Sequence, residues 1–269
     1  WTNRFLNVGS QDLILDTYYY GTCNLSTDDG ETNDDWQLVW FDEFNSPNID
    51  MSKWGYDIGM GNWGWGNNEE QYYTNNSSNS FIQDGKLIIK AKLEDFGGAE
   101  YTSARMVTKN RGDWTYGRFV IRAKIPGGLG TWPAIWMLPT DYIYGGWPYS
   151  GEIDIMEAVG FEHGVIHANS HCEAYNWNFG IPPSGGSIYI DDFNTQFHDY
   201  VIEWNENIIK WYVDDVLYHS YVNDNQGTST WPFNQDFHLL LNIAIGGTWG
   251  GQQGIDNSIF PVQMEIDYV

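Results

Sequence analysis

Glu152, Asp154 and Glu157 place three carboxylates within six positions of an otherwise apolar run, Gly151-Glu-Ile-Asp-Ile-Met-Glu-Ala158. Ionised carboxyls seldom bury without partners, because packing does not replace lost hydration. Spaced among Ile and Met, the trio reads as a strand with one face in a wet cleft and the other in a core. Paired carboxylates in a cleft suit the cutting of a glycosidic bond. One, ionised, attacks the anomeric carbon; the other, with a raised pKa, protonates the departing oxygen. A surface strand of scattered acids, or a calcium site, is the alternative use of such a cluster.

Strand geometry constrains this reading. Regular alternation puts Glu152 and Asp154 on one face with Met156, and drives Glu157 into the core with Ile153 and Ile155. One extra residue taken up as a β-bulge near Ile155-Met156 returns Glu157 to the side of the other two acids. The same alternation in Thr131-Trp-Pro-Ala-Ile-Trp-Met-Leu138 sets Trp132, Ala134 and Trp136 on one face, against Ile135 and Met137. Two indoles flanking a small Ala leave room for a sugar, although core packing is the competing use of such rings. Trp147, just ahead of the acidic strand, is a further platform. His167, Asn169 and His171 also share a face, and His171 is the candidate for the leaving-group side.

The elements that must carry these residues are strands. Lys86–Ala91, Arg118–Ala123, Tyr200–Trp204 and Ile208–Val213 are rich in β-branched and aromatic residues, with Gly, Asn, Asp and Pro between such runs. Asp214-Asp215 joins the last of these runs to Val216–Tyr218 as a hairpin turn. There is no long amphipathic helix and no repeat. The pattern implies an all-β fold of two stacked antiparallel sheets. At 269 residues the expected organisation is one catalytic domain over 36–269, preceded by an extension over 1–35. In that extension Ser26–Asp35 reads as an acidic, solvated linker; Leu13–Leu15 and Tyr18–Tyr20 are sticky enough to form a docked arm.

Composition narrows the partners. Fifteen Trp, eighteen Tyr and thirteen Phe exceed what one core requires, and such rings suit half-exposed binding surfaces. A formal charge of −24 disfavours nucleic acid, which needs clustered Lys and Arg, and weakens the case for a sulfated polymer. Arg105, Lys109, Arg111, Arg118, Arg122 and Lys124 crowd one region and could form a local basic patch. A neutral glucan is the better fit. No apolar run is long enough to span a bilayer. Trp1 opens the chain without a leader, which fits a mature, secreted, extracellular protein, expected to be a monomer. Cys23 and Cys172 could pair in an oxidising compartment, but their separation does not establish a bridge. Asn24, Asn75 and Asn76 fit the glycosylation pattern.

The acidic run resembles the catalytic signature of glycoside hydrolase family 16, in the bulged form of its laminarinase-like members. Other segments match in the family's order: Trp36–Phe44, Gly66–Thr74, Tyr101–Met106, Tyr116–Phe119, Gly130–Leu138, Phe197–Trp204, Trp231–Phe233 and Leu241–Gly247. Met264–Val269 looks like the last strand, stopped just short of its usual end, as though a downstream module had followed. The resemblance implies a curved jelly roll with a concave cleft. It also implies a retaining endo-hydrolase of β-1,3-glucan such as laminarin. Mixed-linkage β-1,3-1,4-glucan is the runner-up, galactans are more distant, and a glucan-binding protein without chemistry is the alternative from another class. By position, Glu152 matches the nucleophile, Glu157 the general acid/base and Asp154 the residue that steadies the nucleophile. Asn67 and Arg105 match residues that bond sugar hydroxyls on the non-reducing side, and Trp132 and Trp136 match binding positions. The resemblance implies no catalytic cofactor. It implies one structural Ca2+ on the convex side, held by the Asp267 side chain and the backbone carbonyls of Glu43 and Gly85.

Overall fold

A computed structural model describes residues 36–269. The arm and linker expected over 1–35, with Cys23 and the Asn24 sequon, lie outside the described residues. Trp36–Phe41 carry no helix or strand, and the folded body is Asp42–Val269. Its strands form where β-branched and aromatic residues were dense. Ile208–Val213 keeps the expected bounds, while the strand begun at Lys86 continues to Phe96. Asp214 and Asp215 both have positive φ (47° and 66°), the mirror-image turn whose twist matches that of a hairpin. Asp earns this place over Gly through its carboxylate. Asp214 Oδ1 accepts from the Asp199 backbone N–H at 2.8 Å, and Oδ2 lies 2.6 Å from His198 Nδ1.

Two sheets result. The eight-stranded cleft sheet runs Gly55–Asp57, Arg105–Val107, Phe237–Ile245, Thr131–Pro139, Glu152–Glu157, Val165–His171, Ser184–Tyr189, with Asp113–Trp114 beside Phe237. The nine-stranded outer sheet runs Val216–Val222, Ile208–Val213, His198–Trp204, Gly117–Lys124, Val262–Tyr268, Lys86–Phe96, Ala99–Ser103, Gln71–Tyr73, with Ser80–Gln83 beside Lys86–Phe96. Among the described residues no barrel closes; the body is the expected jelly roll with its cleft on the concave face. One pairing departs from the all-antiparallel expectation, since Gln71–Tyr73 lies parallel to Ala99–Ser103. Residues 74–79 carry the chain onward without reversing it, tied down where Thr74 Oγ1 donates to Asn79 Oδ1 and Asn79 Nδ2 donates to the Lys90 carbonyl.

The core between the sheets holds Trp54, Trp204, Trp211, Phe233 and Phe237. Phe237–Ile245 is buried along its whole length because it is central in the cleft sheet. The crowd of cations read as a possible basic patch is dispersed by the fold. Arg105 joins the cleft sheet, whereas Arg118, Arg122 and Lys124 stand on the outer sheet and pair across strands. Their partners are Glu203 (3.3 Å), Asp199 (3.3 Å) and Glu265 (2.9 Å).

Candidate active site

The acidic strand carries the bulge that its composition required. Asp154 lies opposite Trp136 on one side and Asn169 on the other. Met156 pairs with Ile135, and Glu157 with Ala134 and His167. Ile155 has no counterpart on Thr131–Pro139 and is the extra residue. Glu157 thereby rejoins the face of Glu152 and Asp154, while Ile153, Ile155 and Met156 are buried. The carbonyl just before the bulge, that of Asp154, accepts from Trp211 Nε1 at 2.9 Å, a fully buried indole of the outer sheet. The sandwich core thus pins the irregularity from behind. Trp211→Phe removes this donor and orphans a buried carbonyl, at a cost of about 1–3 kcal/mol. The expected result is a lower melting temperature and a fall in kcat of roughly tenfold with KM little changed, since misplacing a reacting group costs rate. Melting curves and steady-state kinetics check it.

The three carboxyls have different surroundings. Glu157 receives two neutral donors: Trp132 Nε1 to Oε1 at 3.0 Å and Asn169 Nδ2 to Oε2 at 2.9 Å. Gly185, opposite Asn169, keeps that amide in place, because a Cβ there would lie 2.3 Å from Asn169 Oδ1. His171 faces the other pair, with Nε2 3.2 Å from Asp154 Oδ2 and 3.7 Å from Glu152 Oε1. The Glu152 side chain is 17% exposed and that of Asp154 only 3%. Burial, then the neighbouring Asp154 charge, pushes the Glu152 carboxyl up to about 8. Burial, then Glu157, lifts Asp154 well above the carboxylate range. Near neutral pH this cluster therefore retains a proton, with Asp154 and Glu152 sharing a hydrogen bond.

The expected sugar contacts assemble on the same face. Trp136 points its Nε1 at Asn242 Oδ1 (2.7 Å). Asn242 donates to the Tyr73 hydroxyl, which donates to Glu69 Oε2 at 3.1 Å. Glu69 also takes Gln71 Nε2 at 2.7 Å and, on Oε1, Asn67 Nδ2 at 3.4 Å. Arg105 is clamped between the rings of Trp65 (4.5 Å) and Trp136 (4.7 Å), with Nε 3.0 Å from Asp57 Oδ2. Trp147 lies 5.8 Å from the His171 ring. Trp132, read as a sugar platform, has its N–H committed to Glu157 and its ring against Trp249 at 5.5 Å. Sequence reasoning missed Glu69, Asn242, Asp57, Trp65 and Asn169 as members of this network. Three carried a signal. Glu69 lies inside the Gly66–Thr74 motif, Asn242 lies inside Leu241–Gly247, and Asn169 shares the face of His171.

Two places bear on cations. Among the described residues, Glu152, Asp154 and His171 form one group whose ligand atoms lie within 4.8 Å of one another. Those atoms are already engaged with each other, His171 Nε2 with both carboxyls. For the calcium set, backbone bonds between Asp42 and Val269 align Glu43 with the strand of Asp267, and Gly85 lies against Asn45. The three segments do converge, and their donors are all hard oxygens. Asp267 Oδ2 also faces Arg122 Nε at 3.6 Å. Cys172 is buried next to His171 in sequence, and its partner in the pairing considered, Cys23, lies outside the described residues.

Carboxyls of unlike environment, offered from one bulged strand to the floor of a curved sheet between indoles and amides, define a glycoside hydrolase. Comparison with known proteins agrees with that class. The family model described as Glycosyl hydrolases family 16 matches residues 67–269, and the chain belongs to that family. It is 49% identical over 258 residues to a beta-glucanase of Rhodothermus marinus, covering 93% of this chain and 89% of the relative. The X-ray structure of the laminarinase from Rhodothermus marinus superposes with a TM-score of 0.84 at 51% identity, over 87% of this chain and 95% of that one. A beta-1,3-glucan-binding protein of Penaeus monodon is 32% identical over 281 residues, covering 79% of this chain and 75% of the relative.

Proposed function

We propose that the protein is an endo-acting hydrolase of β-1,3-glucan such as laminarin, working by double displacement with retention. The observation that carries this reading is the Ile155 bulge, which aims Glu152 and Glu157 at the same cleft. A Glu152 oxygen attacks the anomeric carbon while Glu157 gives its proton to the departing glycosidic oxygen. Glu157, now ionised, takes a proton from water as that water attacks the same carbon and Glu152 leaves. Asp154, the most buried of the three, takes over the proton that Glu152 shares with it, so that Glu152 attacks as the anion. Retention accords with family membership. The related glucan-binding protein raises a reading without chemistry, but the intact Glu152–Asp154–Glu157 set favours the enzyme.

Product profiling on laminarin, lichenan, agarose and carrageenan, with NMR of the first-formed anomer, tests the proposal. The expected outcome is laminarin oligosaccharides released first as the β-anomer. Release of no reducing ends, or of the inverted anomer, refutes it. Preferential release from lichenan would move the assignment to mixed-linkage glucan. A polymer this large is cut outside the cell, which is where we place the protein, acting as a single chain. We further assign structural calcium to Asp267 with the carbonyls of Glu43 and Gly85. Saturating Ca2+, at about 100 times its Kd, adds about 2.7 kcal/mol. The melting temperature is then expected to rise by about 5–10 °C over the EDTA-treated protein. Differential scanning calorimetry checks it, and an unchanged curve removes the assignment.

A further inference from the structure

We infer that the loop after Val165–His171 builds a second aromatic platform, which binds the glucan on the leaving-group side of the scissile bond. The inference rests on the glucanase reading above. Trp177, Phe179 and Ile181 on this loop are 67%, 53% and 48% exposed, and Tyr149, ahead of the acidic strand, is 42% exposed. Large apolar side chains held together in water cost solvation and return nothing to the fold, and such patches mark binding sites.

The loop that carries them is built, not slack. Asn176 is fully buried at its centre. Its Nδ2 donates to the carbonyls of Cys172 (2.9 Å) and Glu173 (3.0 Å), and its Oδ1 accepts from the Phe179 N–H at 3.1 Å. Ile181 N–H returns to the Asn176 carbonyl at 3.2 Å. One buried amide thus fixes the short turn Trp177–Phe179 and projects its rings outward.

The patch is continuous with the catalytic cluster. Phe179 meets Tyr149 at 6.5 Å between ring centroids, and Trp147, two residues before Tyr149, meets His171 at 5.8 Å. His171 in turn faces Asp154 and Glu152. The resemblance implies that Arg105 takes the non-reducing side, and strand order sets the loop opposite it. Val165–His171 lies across the acidic strand from Thr131–Pro139, Phe237–Ile245 and Arg105–Val107, which carry Trp136, Asn242 and Arg105. A chain crossing the strands meets Arg105 at one end and Trp177 at the other. A β-glucosyl ring has a flat C–H face and a rim of hydroxyls, which suits aromatic rings edged by the Tyr149 phenol. An uncharged hexose chain is therefore the occupant.

Trp177→Ala/Phe179→Ala tests the inference on two substrates. One is borohydride-reduced laminarihexaose; the other is a 4-nitrophenyl laminaritrioside, which carries no sugar beyond the bond cut. The expected loss of kcat/KM is about tenfold greater on the hexasaccharide than on the aryl trioside. Mass spectrometry of the products should show scission moved toward the reduced end. Equal losses on both substrates would make the loop a mere scaffold, and no loss on either would make the patch inert; both outcomes overturn the platform. A shift toward the non-reducing end overturns it too, by placing the rings on the other side. Melting curves confirm that the variant folds. If the unaltered protein cleaves neither substrate, it is the glucanase reading that fails.

Discussion

Glu152→Gln is expected to lower turnover of laminarin by roughly 10⁴-fold or more while oligosaccharide binding persists. The amide keeps the size of the side chain and its place opposite His171 but has no charge with which to attack the anomeric carbon. The same change should stabilise the fold, and the direction follows from the carboxyl's environment. Burial and the Asp154 charge hold the Glu152 pKa at about 8, above its ordinary 4.5, so the folded protein binds this proton more tightly than the unfolded chain. The stability that proton supplies is fully present below about pH 4.5 and is lost as pH climbs through 8. Gln escapes that loss. Its melting temperature should match the parent near pH 4 and exceed it near pH 8, by an amount worth about 4 kcal/mol. Calorimetry across this range, beside activity and isothermal titration with a laminarin oligosaccharide, measures all three effects. Undiminished hydrolysis would exclude Glu152 as nucleophile. A stability gain at pH 4 as large as at pH 8 would exclude the buried charge as its source.

Glu157→Gln should act differently. Loss of the proton donor is expected to reduce kcat on laminarin by about 10²–10⁴-fold. An oligosaccharide with a dinitrophenyl leaving group needs no protonation to depart, so its first step should be largely spared. Deglycosylation, which needs Glu157 as base, then becomes limiting, and a burst of released phenol should precede a slow steady state. Stopped-flow absorbance reads the burst directly. A loss of equal size for polymer and activated substrate, without a burst, would deny Glu157 the role of acid.

Much of this site is legible from local rules. Glu157 does not fit a core, so the bulge follows from the Gly151–Ala158 segment alone. The orientation of Trp132 and Trp136 follows from alternation along one strand. What the sequence hides depends on stacking. The Trp211 bond to the Asp154 carbonyl joins positions 57 apart across the two sheets. The line from Trp136 through Asn242 and Tyr73 to Glu69 crosses three chain segments. Trp132 was legible as facing the cleft, but its hold on Glu157 depends on how the bulge sets that carboxylate. The parallel Gln71–Tyr73 pairing was hidden because nothing in residues 74–79 signals a crossing without a reversal. The run of Arg and Lys after residue 104 looked like one patch only because neighbours in sequence part company between sheets.

The unpaired Ile155 also bears on how this enzyme can change length. Removing one residue from most strands inverts everything after it, exchanging inside for outside. Here the excision would bring the ladder back to plain two-step spacing, and both glutamates would still look out of the same side. The loss would fall on packing and on the carbonyl held by Trp211, while the reactive pair kept its aim. A strand that keeps both glutamates on one face with or without its middle residue can gain or lose a codon there without exchanging inside for outside.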